Sequence, residues 1–195
     1  MAYGTVNADL ITTSAAQSLG AGNATNFKNR IINGAMVIDQ RNAGASVTLS
    51  SGTTYSVDRW AAFSSLSSKF SIQQNAGSVT PPTGFKNYLG ATSLSSYSLL
   101  SGDYFLIYQL IEGFNVADFG WGAAGAKTIT LSFWANSSVA GTFGGAVKNA
   151  SSNRSYPFSY TLAANTWTQI SIVIPGDTSG TWATNNTTGI QVVFS

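Results

Sequence analysis

Two stretches of strict alternation leave this chain little choice of fold class. Over Thr128 to Asn136, Ile129, Leu131, Phe133 and Ala135 alternate with Thr130, Ser132 and Trp134. Over Trp167 to Ile174, Ile170, Ile172 and Ile174 alternate with Gln169 and Ser171. A period of two sends one set of side chains to a buried face and the other to water, as antiparallel sheets allow. From residue 45 onward such segments follow one another: "SVTLS", "WAAFSS", "KFSIQQ", "YLGATS", "YFLIYQLI", "GTFGGAVKN", "SYPFSYTL" and "GIQVVF". Turns rich in Ser, Gly and Asn separate them, and only "FNVADFGWG" has room for a helical turn. Roughly ten short strands in this rhythm predict an all-β antiparallel sandwich or jelly roll over residues 45–195.

The segment "NRIINGAMVIDQRNAG", Asn29 to Gly44, places Ile32, Gly34, Met36 and Ile38 on one alternate set. It reads as a connecting strand over 29–44 with a turn behind it. Residues 1–28 have no periodicity. Their apolar side chains stand singly, at Tyr3, Val6, Leu10, Ile11, Leu19 and Phe27. Such a segment buries too little apolar area to offset its own ordering entropy. It is either a disordered tail or an extended attachment arm whose six apolar side chains enter successive pockets on a partner. A 28-residue extended chain reaches up to ~90 Å.

"YFLIYQLI" departs from the one-wet-face pattern. Tyr104, Leu106, Tyr108 and Leu110 alternate with Phe105, Ile107, Gln109 and Ile111, so both faces are largely apolar. The outer set needs a cover, supplied either by another part of the chain or by a second subunit. Tyr104, Leu106, Tyr108 and Leu110 are therefore the expected oligomer interface.

Composition narrows the chemistry. The 195 residues include no His and no Cys, which removes the commonest general base, the commonest metal ligand and every thiolate site. The acids are Asp9, Asp39, Asp58, Asp103, Glu112, Asp118 and Asp177, with no local pairing of the kind a glycosidase uses. "GWGAAGAKT" is one residue out of register for a phosphate-binding loop and leads into a strand, so it reads as a turn. The expectation is a non-enzymatic protein with no cofactor and no metal. The net charge of +2 comes from scattered basic residues, which gives no footprint for nucleic acid. No apolar run approaches the ~20 residues of a membrane-spanning helix. Asp58, Arg59 and the "DQR" at Asp39 to Arg41 read as side chains pinning strand ends.

Charged residues make up only 8% of the chain, against ~25% in ordinary domains. A surface of Ser, Thr, Asn and Gly suits dense assembly or contact with neutral polymers. Aromatics add a possible binding handle: Trp134, on the outward set of its strand, and Trp121 and Trp182, near strand ends. These are candidate platforms for stacking a sugar ring, or else edge packing within the sandwich.

Taken together, "NRIINGAMVIDQRNAG…TYSVDRW", "YQLIEGFN", "KTITLSFWANSSVAGTFGG", "NRSYPFSYTL", "WTQISIVIPGDTSGTW" and "GIQVVF" resemble a family of tailed-bacteriophage virion proteins of the tail-fibre type, common in cyanobacterial and marine phages. Its jelly roll looks like that of carbohydrate-binding modules. The resemblance implies a structural protein at the virion surface, a tail fibre, spike or capsid decoration. It implies a homotrimer made in the host cytoplasm, attached to other virion proteins through "MAYGTVNADLI", with host-surface glycan as a further partner. Family members run on past "GIQVVFS", so the jelly roll is expected to lack its last strands. A free-standing glycan-binding module is the competing expectation.

Overall fold

A computed structural model describes residues 28–195 of the chain, and in them the β-sandwich expected from the alternation is present. The strands are β1 (Val47–Thr48), β2 (Gly52–Tyr55), β3 (Ala61–Ser64), β4 (Phe70–Gln74), β5 (Leu89–Ser93) and β6 (Phe105–Glu112). One helical turn, α1 (Gly113–Val116), follows. Then come β7 (Ile129–Ala135), β8 (Gly141–Lys148), β9 (Ser155–Leu162), β10 (Thr168–Ile174) and β11 (Thr188–Phe194). One layer is a six-stranded sheet in the order β2-β3-β6-β11-β8-β9, every neighbour antiparallel. The other layer comes in two pieces, β1-β4-β5 and β7-β10.

The core is divided the same way. The larger cluster joins Leu131 and Ile174 of the β7-β10 pair to Ile111, Val147, Phe158, Ile190 and Val192 of the six-stranded sheet. The smaller joins Leu49 and Ile72 to Ala62, with Ile107 packed against them. Each fully buried aliphatic side chain of this kind contributes ~1.5–3 kcal/mol. Phe133 stands on the inner face as its register predicts, its ring 5.0 Å from Phe194, 5.1 Å from Tyr160 and 6.2 Å from Phe158. The outward set Thr130, Ser132 and Trp134 is exposed.

The connecting strand expected over 29–44 is not there: the segment forms turns and no ladder. Asn33, Met36 and Ala43 have φ of 53°, 54° and 47°, and left-handed residues at those positions break an extended path. Side chains take over the backbone groups that a strand partner would have satisfied. The buried amide of Gln109 accepts from Ile32 N–H and donates to Ile32 C=O, both at 2.8 Å. Trp60 Nε1 donates to Asn33 C=O, Gln74 Nε2 to Met36 C=O, and Asn33 Nδ2 to the carbonyls of Ile38 and Asp58. Ile31 packs against the larger core cluster, while Met36 is tied to β4. The segment is thus fastened to β6 of the six-stranded sheet and to β4 of the other layer. The attachment-arm residues Tyr3, Val6, Leu10, Ile11, Leu19 and Phe27 lie outside the described residues.

Candidate functional site

The outer face of the six-stranded sheet carries a broad, shallow groove of about 570 Å³ across β2, β3, β6 and the start of β11. Alternation builds it. Tyr55 from β2, Ala61 from β3, and Tyr108, Leu110 and Glu112 from β6 point outward at neighbouring registers, Ala61 opposite Tyr108. Ala61 is buried and Leu110 half-buried, so they form the floor; Tyr55 is 43% exposed. Asn186, Thr187 and Thr188, with Arg41, Asp58 and Arg59, complete its lining.

The tight turn before β3 aims the charged groups. Trp60 N–H donates to Val57 C=O at 2.9 Å, and between them Arg59 takes φ of 72°, a conformation that costs a non-glycine residue of order 1–3 kcal/mol. From it one guanidinium nitrogen reaches both oxygens of Glu112, at 2.8 and 2.9 Å, and the Leu110 carbonyl at 3.2 Å. The hydrogen bond from Arg59, with one from the backbone, holds the Glu112 carboxyl below its usual pKa. At neutral pH Glu112 is therefore an acceptor of hydrogen bonds rather than a source of protons. Asp58 accepts from Gln40 N–H at 2.6 Å. The Arg41 guanidinium lies 5.4 Å from the centre of the Tyr55 ring, and it has no carboxylate partner among the described residues. Tyr108 Oη is 3.0 Å from Thr53 Oγ1.

A second charged constellation lies at the β9 start. Arg154 grips Asp177 through Nε at 2.8 Å and Nη2 at 2.6 Å. Ser179 N–H and Trp182 Nε1 donate to the same carboxylate, each at 3.1 Å. The Arg154 hydrogen bonds come first among the causes that hold Asp177 well below the usual carboxylate range. This corner explains why "NRSYPFSYTL" and "IPGDTSGTW" contain the residues they do: Arg154 comes from one and Asp177, Ser179 and Trp182 from the other.

The aromatic candidates separate on inspection. Trp134 is 38% exposed and lies opposite Gln169 across the β7-β10 ladder. Trp121 is not a surface platform. It is buried, with Nε1 donating to Lys127 C=O at 2.8 Å. Trp182 packs edge-on against it, ring centres 4.6 Å apart, and is half-buried. The void beside this pair is about 10 Å³, room for a water and not for a sugar. Burial wins because indoles at the ends of strands can fill the open end of a sandwich while keeping the N–H bonded.

Of the expected interface residues, Tyr104 precedes β6 and is 58% exposed. Leu106, Tyr108 and Leu110 are half-buried on the outer face, and Tyr108 and Leu110 line the groove. Asp58, read from the sequence as a pin to a loop, accepts from the Gln40 N–H, whereas Arg59 reaches across to the end of β6. Their gathering with Arg41, Tyr55 and Glu112 has no local signature, since Arg59 and Glu112 are 53 residues apart.

The described residues hold no group of three His, Cys, Asp or Glu side chains placed to bind a metal ion. Among them, too, no helix is long and apolar enough to cross a membrane. No protein-family model, curated protein or solved structure matches the chain.

Proposed function

We propose that this chain is a non-enzymatic structural protein of a bacteriophage virion surface, a fibre, spike or capsid-decorating component that touches host glycans through the groove on its six-stranded sheet. Placement on a virion is supported by the sequence resemblance. The glycan contact is supported by one observation above the others: two tyrosines, an apolar floor and pre-oriented charged groups meet in a groove of about 570 Å³. Sugar rings stack their CH faces on such rings, and their hydroxyls bond to carboxylates, guanidinium groups and amides. Glu112 is clamped by Arg59 and Asp58 by a backbone N–H, so both serve better as fixed acceptors than as a catalytic pair. On this reading residues 1–28 are the attachment arm. The same resemblance supports a threefold assembly, with Tyr104 and Leu106 against the neighbouring copy while Tyr108 and Leu110 face the groove.

The deciding experiment is labelling of purified particles with antibody to the chain, with and without residues 2–26. The full chain should be on the particle surface, and the shortened chain should fold and be missing from it. A protein that never appears on particles yet binds glycan as a monomer is the free-standing module instead.

A further inference from the structure

We infer that the groove accepts a neutral glycan in preference to an acidic one, a step that rests on the glycan reading above. The lining holds two guanidinium groups, Arg41 and Arg59, and two carboxylates, Asp58 and Glu112, so it is charge-balanced. Arg59 is already committed: its guanidinium spans both oxygens of Glu112 and the Leu110 carbonyl. A ligand carboxylate would therefore have to compete for that guanidinium with Glu112, which already holds it at 2.8 and 2.9 Å. Among the described lining residues Arg41 is the cation with no carboxylate partner, but it lies over Tyr55, and Asp58 in the same lining would oppose an anion drawn to it. A neutral polyol avoids both conflicts. Its hydroxyls donate to Glu112 and Asp58 and accept from Arg41 and Asn186, while its apolar ring faces rest on Tyr55 and Tyr108. Every charge in the site then stays paired or hydrogen-bonded.

The test is calorimetric titration of the full chain with hexasaccharides of glucose, mannose and N-acetylglucosamine, and with hexasaccharides of uronic acids. A neutral oligosaccharide should bind, with an affinity that changes less than about twofold between about 50 and 500 mM salt, because no net charge is brought together. Tyr55→Ala and the rim variant Asn186→Ala should each weaken it, the first by about tenfold or more. Trp134→Ala should leave it unchanged. Both Tyr55 and Asn186 are exposed, so neither change threatens the fold. Binding confined to the uronic acids and abolished by salt overturns the neutral class and leaves the glycan reading standing. Loss of binding in Trp134→Ala but not in Tyr55→Ala overturns the location. No binding to any of the sugars overturns this inference and the glycan reading together.

Discussion

At the Arg154–Asp177 corner the carboxylate accepts from Arg154, Ser179 and Trp182, and its side chain keeps 19% of its exposure. At the groove, the Arg59–Glu112 pair is held at 2.8 Å as well, yet the Glu112 side chain is 36% exposed and open space lies beside it. The corner is closed by its own chain. Gly180, at φ of 78°, leaves no room for a Cβ beside the Arg154 side chain, and a Cβ on Gly122 would come within 2.8 Å of the Gly180 carbonyl. Among the described residues, nothing of that kind closes over the groove's charges. The same chemistry thus serves in one place to join two loops and in the other to present fixed donors and acceptors to solvent. What separates them is how many acceptor positions the chain itself has filled.

The comparison is most open to attack at Asp177. Asp177→Ala strands Arg154, Ser179 N–H and Trp182 Nε1 at once, and should lower unfolding free energy by about 2–3 kcal/mol, measured by urea denaturation. If it leaves stability untouched, the corner is not the structural joint described here. The inner face of β6 offers the next contrast, one residue away from the groove's Tyr108 and Leu110. Gln109→Ala removes the amide that pairs with Ile32 and should cost about 1–3 kcal/mol. Hydrogen exchange should show the Ile32 amide losing protection while the groove still binds sugar.

Acid should take the two pairs apart in order. Both carboxylates have folded pKa values below the ordinary ones, near 4 in the unfolded chain, with Asp177 held the lower. Their stabilisation is therefore complete above about pH 5 and is lost as pH falls through the folded values. Sugar affinity should fall before global stability does, because Glu112 protonates first. A pH series of melting curves and titrations in which stability fails first would reverse the assignment. The smallest stability effect belongs to the groove itself. Glu112→Gln should change unfolding free energy by less than about 1 kcal/mol, as exposed ion pairs do, while weakening sugar binding severalfold.

The strands of the sandwich were legible because their signal is local. In β7 and β10 the alternation placed the side chains it assigned on the faces they occupy, Ile129, Leu131 and Phe133 inward and Trp134 outward. Helical structure after β6 was legible too, where a turn of α-helix, Gly113–Val116, runs into a 3₁₀ turn, Ala117–Phe119. Asn29 to Gly44 misled because its apolar residues also alternate, and nothing in that alternation reveals left-handed Asn33 and Met36. Trp121 and Trp182 stayed undecided between platform and edge packing for a related reason. A tryptophan near a strand end can face water or plug the sandwich, and the choice depends on whether Asp177 and the Lys127 carbonyl are there to receive the indole N–H.

The sequence by itself determined the class of fold and the limits on chemistry. Period-two burial depends only on neighbouring residues along one strand, and a chain without His or Cys carries that limit into any fold. Only the tertiary structure decided where the charges meet. It brought Arg59 to Glu112 and Arg154 to Asp177, and it set Gln109 against Ile32, 77 residues away. Such pairs form where the register of β3 on β6 and the crossing of chain between layers happen to place them. No periodicity within a strand encodes that distance.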